Sequence, residues 1–520
     1  MAGYVHDESE AAMFTRPREL FEALVAGLAD PATAALAHTD LEDQLATSGG
    51  ELMCALFQDH LDLRAAREDR CGAVIDAEGI ARTRVEHGHE RDLATVFGRV
   101  RVTRMAYRAP GAGNLYPADA VLNLPGGKHS HGLRRLAAVE AARGSFADAA
   151  AAIERATGTR VGKRQVEQLA QAVDADVEAF YAAHRPAPAE AQDVLVLSAD
   201  GKGVVMRPEA LRAATARAAT SRKLSTRLSK GEKRDRKRMA EVAAVYDLTP
   251  HERTPADIIT LPHPGSGGSG SGGGDGGGGD GPTDAATAPE PAPRARGKWL
   301  TASLTHTTAQ VIAAAFDEAE RRDPEHARPW VALVDGNAHQ IQRIHAEADR
   351  RGIPVPVVID FVHVAEYLWK AAWCFYREGD SAAETWVAEH ALRILNGQAG
   401  TVAAAIRRKA TTLGLDPARR RNADTTAPYL INNKPYLDYP TALESGWPIA
   451  TGVIEGACRH LVKDRMDITG ARWGLPGAEA VLRLRALISN GDFDAYWNWH
   501  LDQERHRTHL SHYQDHAIAG

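Results

Sequence analysis

Cysteine is scarce and scattered. The chain of 520 residues has four, Cys54, Cys71, Cys374 and Cys458, with no Cys-x-x-Cys spacing. That argues against a zinc ribbon and against a disulfide framework, and it fits a reducing cytoplasm. Long apolar runs are missing too, so no stretch reads as a bilayer span. The N-terminus, Met-Ala-Gly-Tyr-Val-His-Asp-Glu-Ser-Glu, is acidic and lacks a signal-peptide apolar region. Positive charge is not in surplus. The formal net charge is -6, so any nucleic-acid surface has to be local. What is present is ordinary globular material, 44% hydrophobic and 25% charged. The length suggests roughly three domains.

The most informative stretch is Asp193-Val-Leu-Val-Leu-Ser-Ala-Asp-Gly-Lys-Gly-Val-Val-Met206. Val194 to Leu197 form a short apolar run rich in β-branched residues, which predicts a strand covered on both faces. Asp200 follows at its end, and Gly201-Lys202-Gly203 reads as a glycine-flanked turn into a second apolar run. Asp-Gly commonly joins two strands, so a turn aspartate is one reading. A carboxylate at the rim of a sheet is also a natural start for a metal site. The device recurs in Pro329-Trp-Val-Ala-Leu-Val-Asp335-Gly336 and again in Pro354-Val-Pro-Val-Val-Ile-Asp360. Further strands are predicted over 241–246 and 299–304, and helices over 308–321, 338–351 and 361–376. Strand, strand, strand, helix, strand, helix, strand, helix is the order of a ribonuclease H-like fold. That is an α/β fold with a mixed sheet covered by helices.

The flanking regions divide as follows. Residues 1–70 read as helical, broken at Ser48-Gly49-Gly50 before a second helix from Glu51. Residues 71–128 read as a small β-rich region. There Val100 and Val102 alternate with Arg99, Arg101 and Thr103, and Arg104 and Arg108 extend a wet, basic face. Such a face is either simply solvated or a DNA backbone contact. Residues 129–187 read as helical, with a start at Ser145-x-x-Asp148, an interruption at Thr157-Gly158-Thr159 and a new helix from Lys163-Arg164-Gln165-Val166. A helix-turn-helix and a plain helical hairpin share that pattern. Residues 188–377 are the first part of the core. They include a basic block over 212–238 and a Gly/Ser/Asp/Pro/Ala tract over 264–296, which reads as a disordered insertion. A helical insertion over 378–449, a last core segment over 450–490 and a histidine-rich tail over 491–520 complete the chain. Histidines 506, 509, 512 and 516 of that tail are a compositional signal only.

Asp200, Asp335 and Glu455 lie on elements that a ribonuclease H-like fold would bring together. Three carboxylates suit two divalent ions about 3.5–4 Å apart, the arrangement that serves phosphodiester displacement. Hard oxygen ligands select Mg2+ or Mn2+ over zinc. Glu455 has plainer readings. As a capping-box residue it fits poorly, because position 452 is glycine. As a partner of Arg459 it would contribute about 0.3–0.5 kcal/mol. In the functional reading Arg459 and Lys463 share its helix face and point at a DNA backbone. Asp360 competes with Asp335 for the second carboxylate, or caps the helix after it. His363 suits a phosphate or leaving oxygen, or a structural place. Trp473 suits base stacking or core packing.

Four segments carry a likeness. They are Ser198-Ala-Asp-Gly-Lys-Gly203, Val334-Asp-Gly336, Asp360-Phe-Val-His-Val-Ala-Glu-Tyr-Leu-Trp-Lys370 and the long run from Thr451-Gly-Val-Ile-Glu-Gly-Ala-Cys-Arg-His to Gly470-Ala-Arg-Trp473. Together they resemble the ISKra-type transposases of bacterial insertion sequences. The likeness runs from about Cys71 to about Gln503 and includes Thr95-Val-Phe-Gly-Arg-Val-Arg-Val-Thr-Arg104. It implies a DDE transposase with a ribonuclease H-like core, in which Asp200, Asp335 and Glu455 form the acidic triad and hold two Mg2+ or Mn2+ ions. Asp360 and His363 resemble the Cys/Asp-x-x-His motif of the related Mutator-like enzymes. The reading assigns DNA contacts to Lys202, Lys163, Arg164, Arg459, Lys463, Arg465, Arg472 and Trp473. The implied partners are double-stranded DNA, as terminal inverted repeats and target, and further copies of the chain in a homodimer or higher oligomer. The implied place is the bacterial cytoplasm, at the nucleoid. The glycine-rich tract departs from the family's pattern. Two other readings are a catalytically silent transposase-derived DNA-binding protein and a ribonuclease H-like nuclease or resolvase without strand transfer.

Overall fold

Apolar runs in the middle of the chain become strands, and these assemble into one sheet. The structure, a computed structural model, describes residues 13–72, 74–186, 190–220, 236–260, 294–468 and 470–518. Most of the glycine-rich tract and residues 221–235 of the basic block lie outside the described residues. Two compact units emerge: Met1–His184 with Ile468–Gly520, and Arg185–Asp467. Among the described residues no helix is long and apolar enough to cross a membrane.

The second unit is a five-stranded mixed sheet flanked by helices. Its strands are β3 (Val194–Val205), β4 (Lys237–Leu248), β5 (Arg296–Ser303), β6 (Trp330–Val334) and β7 (Val357–Ile359), in the order β5-β4-β3-β6-β7. β3, β4 and β5 pair antiparallel, while β6 and β7 join in parallel. Every residue of β6 is buried, as the continuous apolar run requires of a strand covered on both faces. Helix Thr308–Arg322 packs on one face. Its apolar stripe, Val311, Ile312, Ala315, Phe316 and Ala319, is buried, and its start is fixed by a Thr307–Gln310 capping box. Helices Ala338–Arg351 and Phe361–Ala372 follow β6 and β7. The insertion carries helices Ser381–Leu395, Ala399–Thr412 and Arg421–Asn432.

One expectation about β3 fails. There is no turn at Gly201-Lys202-Gly203. β3 runs straight through and stays paired with β4 from Val194↔Leu248 to Val205↔Lys237. Neither glycine reverses the chain. A Cβ at Gly203 would stand 2.8 Å from Lys237 Cδ, and one at Gly201 would stand 3.0 Å from Met239 Cε.

The first unit contains a hairpin, β1 (Arg84–Thr95) and β2 (Gly98–Arg108), with helix His38–Ala66 against β2. That helix passes through Ser48-Gly49-Gly50 without the expected break. Glycine inside a helix is unfavourable by about 1 kcal/mol each, which flanking Leu, Glu and Gln residues can offset. Val100 and Val102 are buried and Arg99 and Arg101 exposed, as the alternation predicts. Arg104 departs from the wet face: it is buried and donates to Asp119 at 2.7 Å and 3.3 Å. Helices His131–Arg143, Phe146–Thr157 and Lys163–Asp174 form a second cluster, with the Ser145–Asp148 capping box in place. Helix Leu475–Asn490 completes that cluster by burying Leu484 and Leu487 within it. The expected last core segment, 450–490, therefore divides at 467/468. The apolar 475–490 helix covers the N-terminal helices, and helix Phe493–Thr508 follows it there through Tyr496 and Trp497.

Candidate metal centre

Strand register sets the geometry of the site. β3 and β6 pair as Leu195↔Trp330, Val196↔Val331 and Leu197↔Ala332. Carried on by three residues, the same register sets Asp335 level with Asp200 and on the same face. β6 and β7 pair as Val334↔Ile359, so one residue further Asp360 is level with Asp335. The Asp360 N–H donates to Val334 O at 2.8 Å. Three aspartates thus form a row across adjacent parallel strands, which lie about 4.8 Å apart. Asp200 and Asp335 are close enough for the charge of one to act on the other.

The row is not uniform. Asp360 is 2% exposed. Its Oδ1 accepts from the Val362 N–H at 2.8 Å, capping helix Phe361–Ala372, and its Oδ2 accepts from the Thr451 hydroxyl. Both oxygens are committed, so the capping role accounts for Asp360. Asp200 and Asp335 are half-buried. Asp200 accepts from the Gly201 N–H at 2.6 Å and from the Cys458 thiol at 3.2 Å. Asp335 accepts from the Asn337 N–H at 2.9 Å. None of these contacts brings a positive charge. Burial pushes the Asp335 carboxyl above its ordinary value, the Asn337 N–H opposes that, and the charge of Asp200 pushes it further up. Gly336 is required beside it. Its φ is +91°, and a Cβ there would stand 3.1 Å from Tyr429 Oη.

Glu455 arrives on a different element. Helix Gly452–Ala457 passes into a π-helical turn, Cys458–Lys463, and back to α over Asp464–Met466. Such turns are rare and concentrate at functional sites. This one begins at the residue whose thiol donates to Asp200. Glu455 is exposed and lies one helical turn before Cys458. Burial, Asp200 and, more weakly, Glu455 push the Cys458 thiol up, while Lys202 opposes them. Cys458 therefore touches the strand carboxylate and feels the charge of the helix carboxylate. Sequence reasoning missed it, because nothing in the spacing of the cysteines marks it. Glu241 was missed too. It sits opposite Gly201 on β4, and burial raises its carboxyl, with a smaller push from Asp200. Directly opposed residues share a face, so Glu241 lies on the other face of the sheet from Asp200.

The remaining expected contacts separate into three groups. Lys202 is exposed and two residues beyond Asp200, hence on the same face of β3. Arg459 and Lys463 are exposed, with Arg459 Nε 3.8 Å from Asp464 Oδ1. His363 is half-buried near the start of its helix, 3.9 Å from Glu366, and close enough to Asp335 to lower its carboxyl. In the first unit Lys163 and Arg164 are exposed at the opening of their helix, and Arg472 is exposed. Two expectations fail on burial. Arg465 is 2% exposed and Trp473 5%. Trp473 packs edge-on to Phe146 with centroids 5.8 Å apart, so it is a core residue and no stacking platform. Of the tail histidines, His509 hydrogen-bonds Leu124 O at 2.7 Å and is buried, and the rings of His506 and His516 lie 4.9 Å apart.

Among the described residues, no three His, Cys, Asp or Glu side chains stand close enough to ligate an ion as they are placed. What the residues offer is an adjacent aspartate pair, hydrogen-bonded by uncharged donors, with a glutamate helix tethered beside it. That donor set is all oxygen in its charged members, which fits Mg2+ or Mn2+. No protein-family model matches the chain, and no curated protein is significantly similar to it.

Proposed function

We propose that the chain is a DDE transposase. In this reading it binds the terminal inverted repeats of its element, hydrolyses phosphodiester bonds at the ends and joins the 3′-hydroxyl to target DNA. The observation that carries the reading is the pair Asp200, within β3, and Asp335, just past the end of the neighbouring parallel strand β6. The strand order β5-β4-β3-β6-β7, antiparallel on one side of β3 and parallel on the other, supports a ribonuclease H-like core. The motif likeness supplies the rest.

Asp200 and Asp335 offer neighbouring oxygen ligands, and Glu455 adds a third from its helix. Two divalent ions held there supply charge stabilisation for the attacking and leaving oxygens. Lys202, Arg459 and Lys463 meet phosphates and position the strand without reading its sequence. His363, close enough to Asp335 to act on its charge, would serve a phosphate or leaving oxygen. Lys163 and Arg164 contact the repeats from the exposed start of their helix. The enzyme works in the bacterial cytoplasm at the nucleoid, as a homodimer or higher oligomer that pairs two ends.

The test is nicking and joining of end-bearing DNA in Mn2+ by the wild type and by Asp200→Ala. The wild type cuts and joins, and the variant binds without cutting. Equal cleavage by both refutes the assignment. One observation favours a second reading: among the described residues, no three ligands converge as placed. A silent, transposase-derived repeat-binding protein would show repeat binding by the wild type and no cleavage in manganese.

A further inference from the structure

The helix that follows Asp335 walls a cleft that the reading above leaves unused. It lies between Ala338–Arg351 and the end of Arg421–Asn432 and encloses about 560 Å³, within the range of sites for small organic groups. Ile341 gives it an apolar wall. Two rings, His345 and Tyr436, sit with centroids 5.8 Å apart and planes inclined by 34°. Two amides, Gln342 and Asn432, and one carboxylate, Asp349, complete the chemistry.

That combination suits a flat heteroaromatic ring with polar edges. Aromatic side chains stack on either face of a base whatever its identity. Amides donate and accept, so they pair with the edges of a base. Asp349 only accepts, which favours an exocyclic amino group and repels a phosphate. The sugar–phosphate chain would stay outside while the base enters. Ala338, which lines the cleft, comes three residues after Asp335. His345 lies about 10 Å further along the helix. The base that enters the cleft therefore belongs to a nucleotide beyond the one whose phosphate is held at the aspartate pair.

We propose that this cleft takes a nucleobase unstacked from the DNA strand held at Asp200 and Asp335. The inference rests on the proposed DNA-cleaving function, and the experiment separates the two. Binding of the full chain is measured to single-stranded oligodeoxyadenylate and to an abasic deoxyribose-phosphate chain of the same length. The wild type binds the base-bearing strand more tightly. Tyr436→Ala loses roughly tenfold on that strand and nothing on the abasic one, while Tyr436→Phe keeps the wild-type affinity. His345→Ala repeats the test from the other wall should Tyr436→Ala fail to fold. Wild-type affinity of both alanine variants for oligodeoxyadenylate, in a protein that still cleaves end-bearing DNA, overturns the cleft and leaves the transposase reading standing. A wild type that binds neither strand and cuts no DNA overturns both.

Discussion

Two places on the five-stranded sheet treat carboxylates in opposite ways. At the end where the parallel strands begin, acids are neutralised by arginine. Asp247 near the end of β4 holds Arg322 at 2.9 Å and Arg328 at 2.7 Å, and Asp193 beside the start of β3 holds Arg296 at 2.6 Å. Glu318, 1% exposed, is held by Arg321 and Arg322. Where Asp200 sits within β3 and Asp335 follows the end of β6, the partners are two backbone N–H groups and a thiol. A fold that only needed buried acids satisfied had arginine available for the purpose. The difference teaches that the first group of acids is tied into ion pairs, whereas the N–H and thiol hydrogen bonds to Asp200 and Asp335 come from uncharged donors.

The largest effect expected is at the ion-paired acids. Asp247→Ala leaves Arg328 buried without this acid and Arg322 held by Glu318, and the fold should lose about 3–5 kcal/mol in urea denaturation. A loss below about 1 kcal/mol, typical of an exposed pair, would break the contrast from that side. At the aspartate pair the effect moves from stability to chemistry. Asp335→Ala should lower metal-dependent nicking by roughly two orders of magnitude or more while leaving the unfolding midpoint unchanged or higher. A variant that unfolds instead would make Asp335 another structural acid.

Smaller effects sharpen the picture. Cys458→Ala removes the thiol that donates to Asp200, worth about 1 kcal/mol, and nicking should fall roughly fivefold. Cys458→Ser should recover part of it, because a hydroxyl can donate in the same place. Equal activity of all three proteins would detach the π-helical turn from the site. The smallest effect is a pH trend without divalent ions. The Asp335 carboxyl titrates above its ordinary value of 3.8 in the folded chain. Its contribution to stability is therefore complete below that value and is lost as pH rises through the folded one. Asp335→Asn should flatten this decline in thermal melts, and an unchanged slope would assign the trend to other groups.

Much of the core could be read in advance because its signals are local. Continuous apolar runs marked β3 and β6, and helix 338–351 had its bounds written in Asn337 and Gly352, an N-cap and a left-handed C-cap. Other features depend on what lies across from a residue, which spacing alone does not encode. Gly201 and Gly203 look like a turn until β4 is laid beside them. Asp335 and Asp360 look alike in sequence, and only the Thr451 hydroxyl and the helix cap separate them. Arg104 and Arg465 belong to charged stretches that suggest a surface, yet both are buried, and Trp473, which suits base stacking or packing alike, is buried against Phe146. The return of helix Leu475–Asn490 to the N-terminal unit was hidden for the same reason: an apolar helix does not announce which core it fills.

The account turns on whether the aspartate pair binds a divalent ion. Manganese binding to the full-length chain, followed by electron paramagnetic resonance in the absence of DNA, measures this directly. The wild type should hold Mn2+ in competition with Mg2+, and Asp200→Asn and Asp335→Asn should each weaken it by roughly tenfold or more, while Asp360→Asn that folds should not. Equal Mn2+ affinity in the wild type and in both site variants would contradict the account.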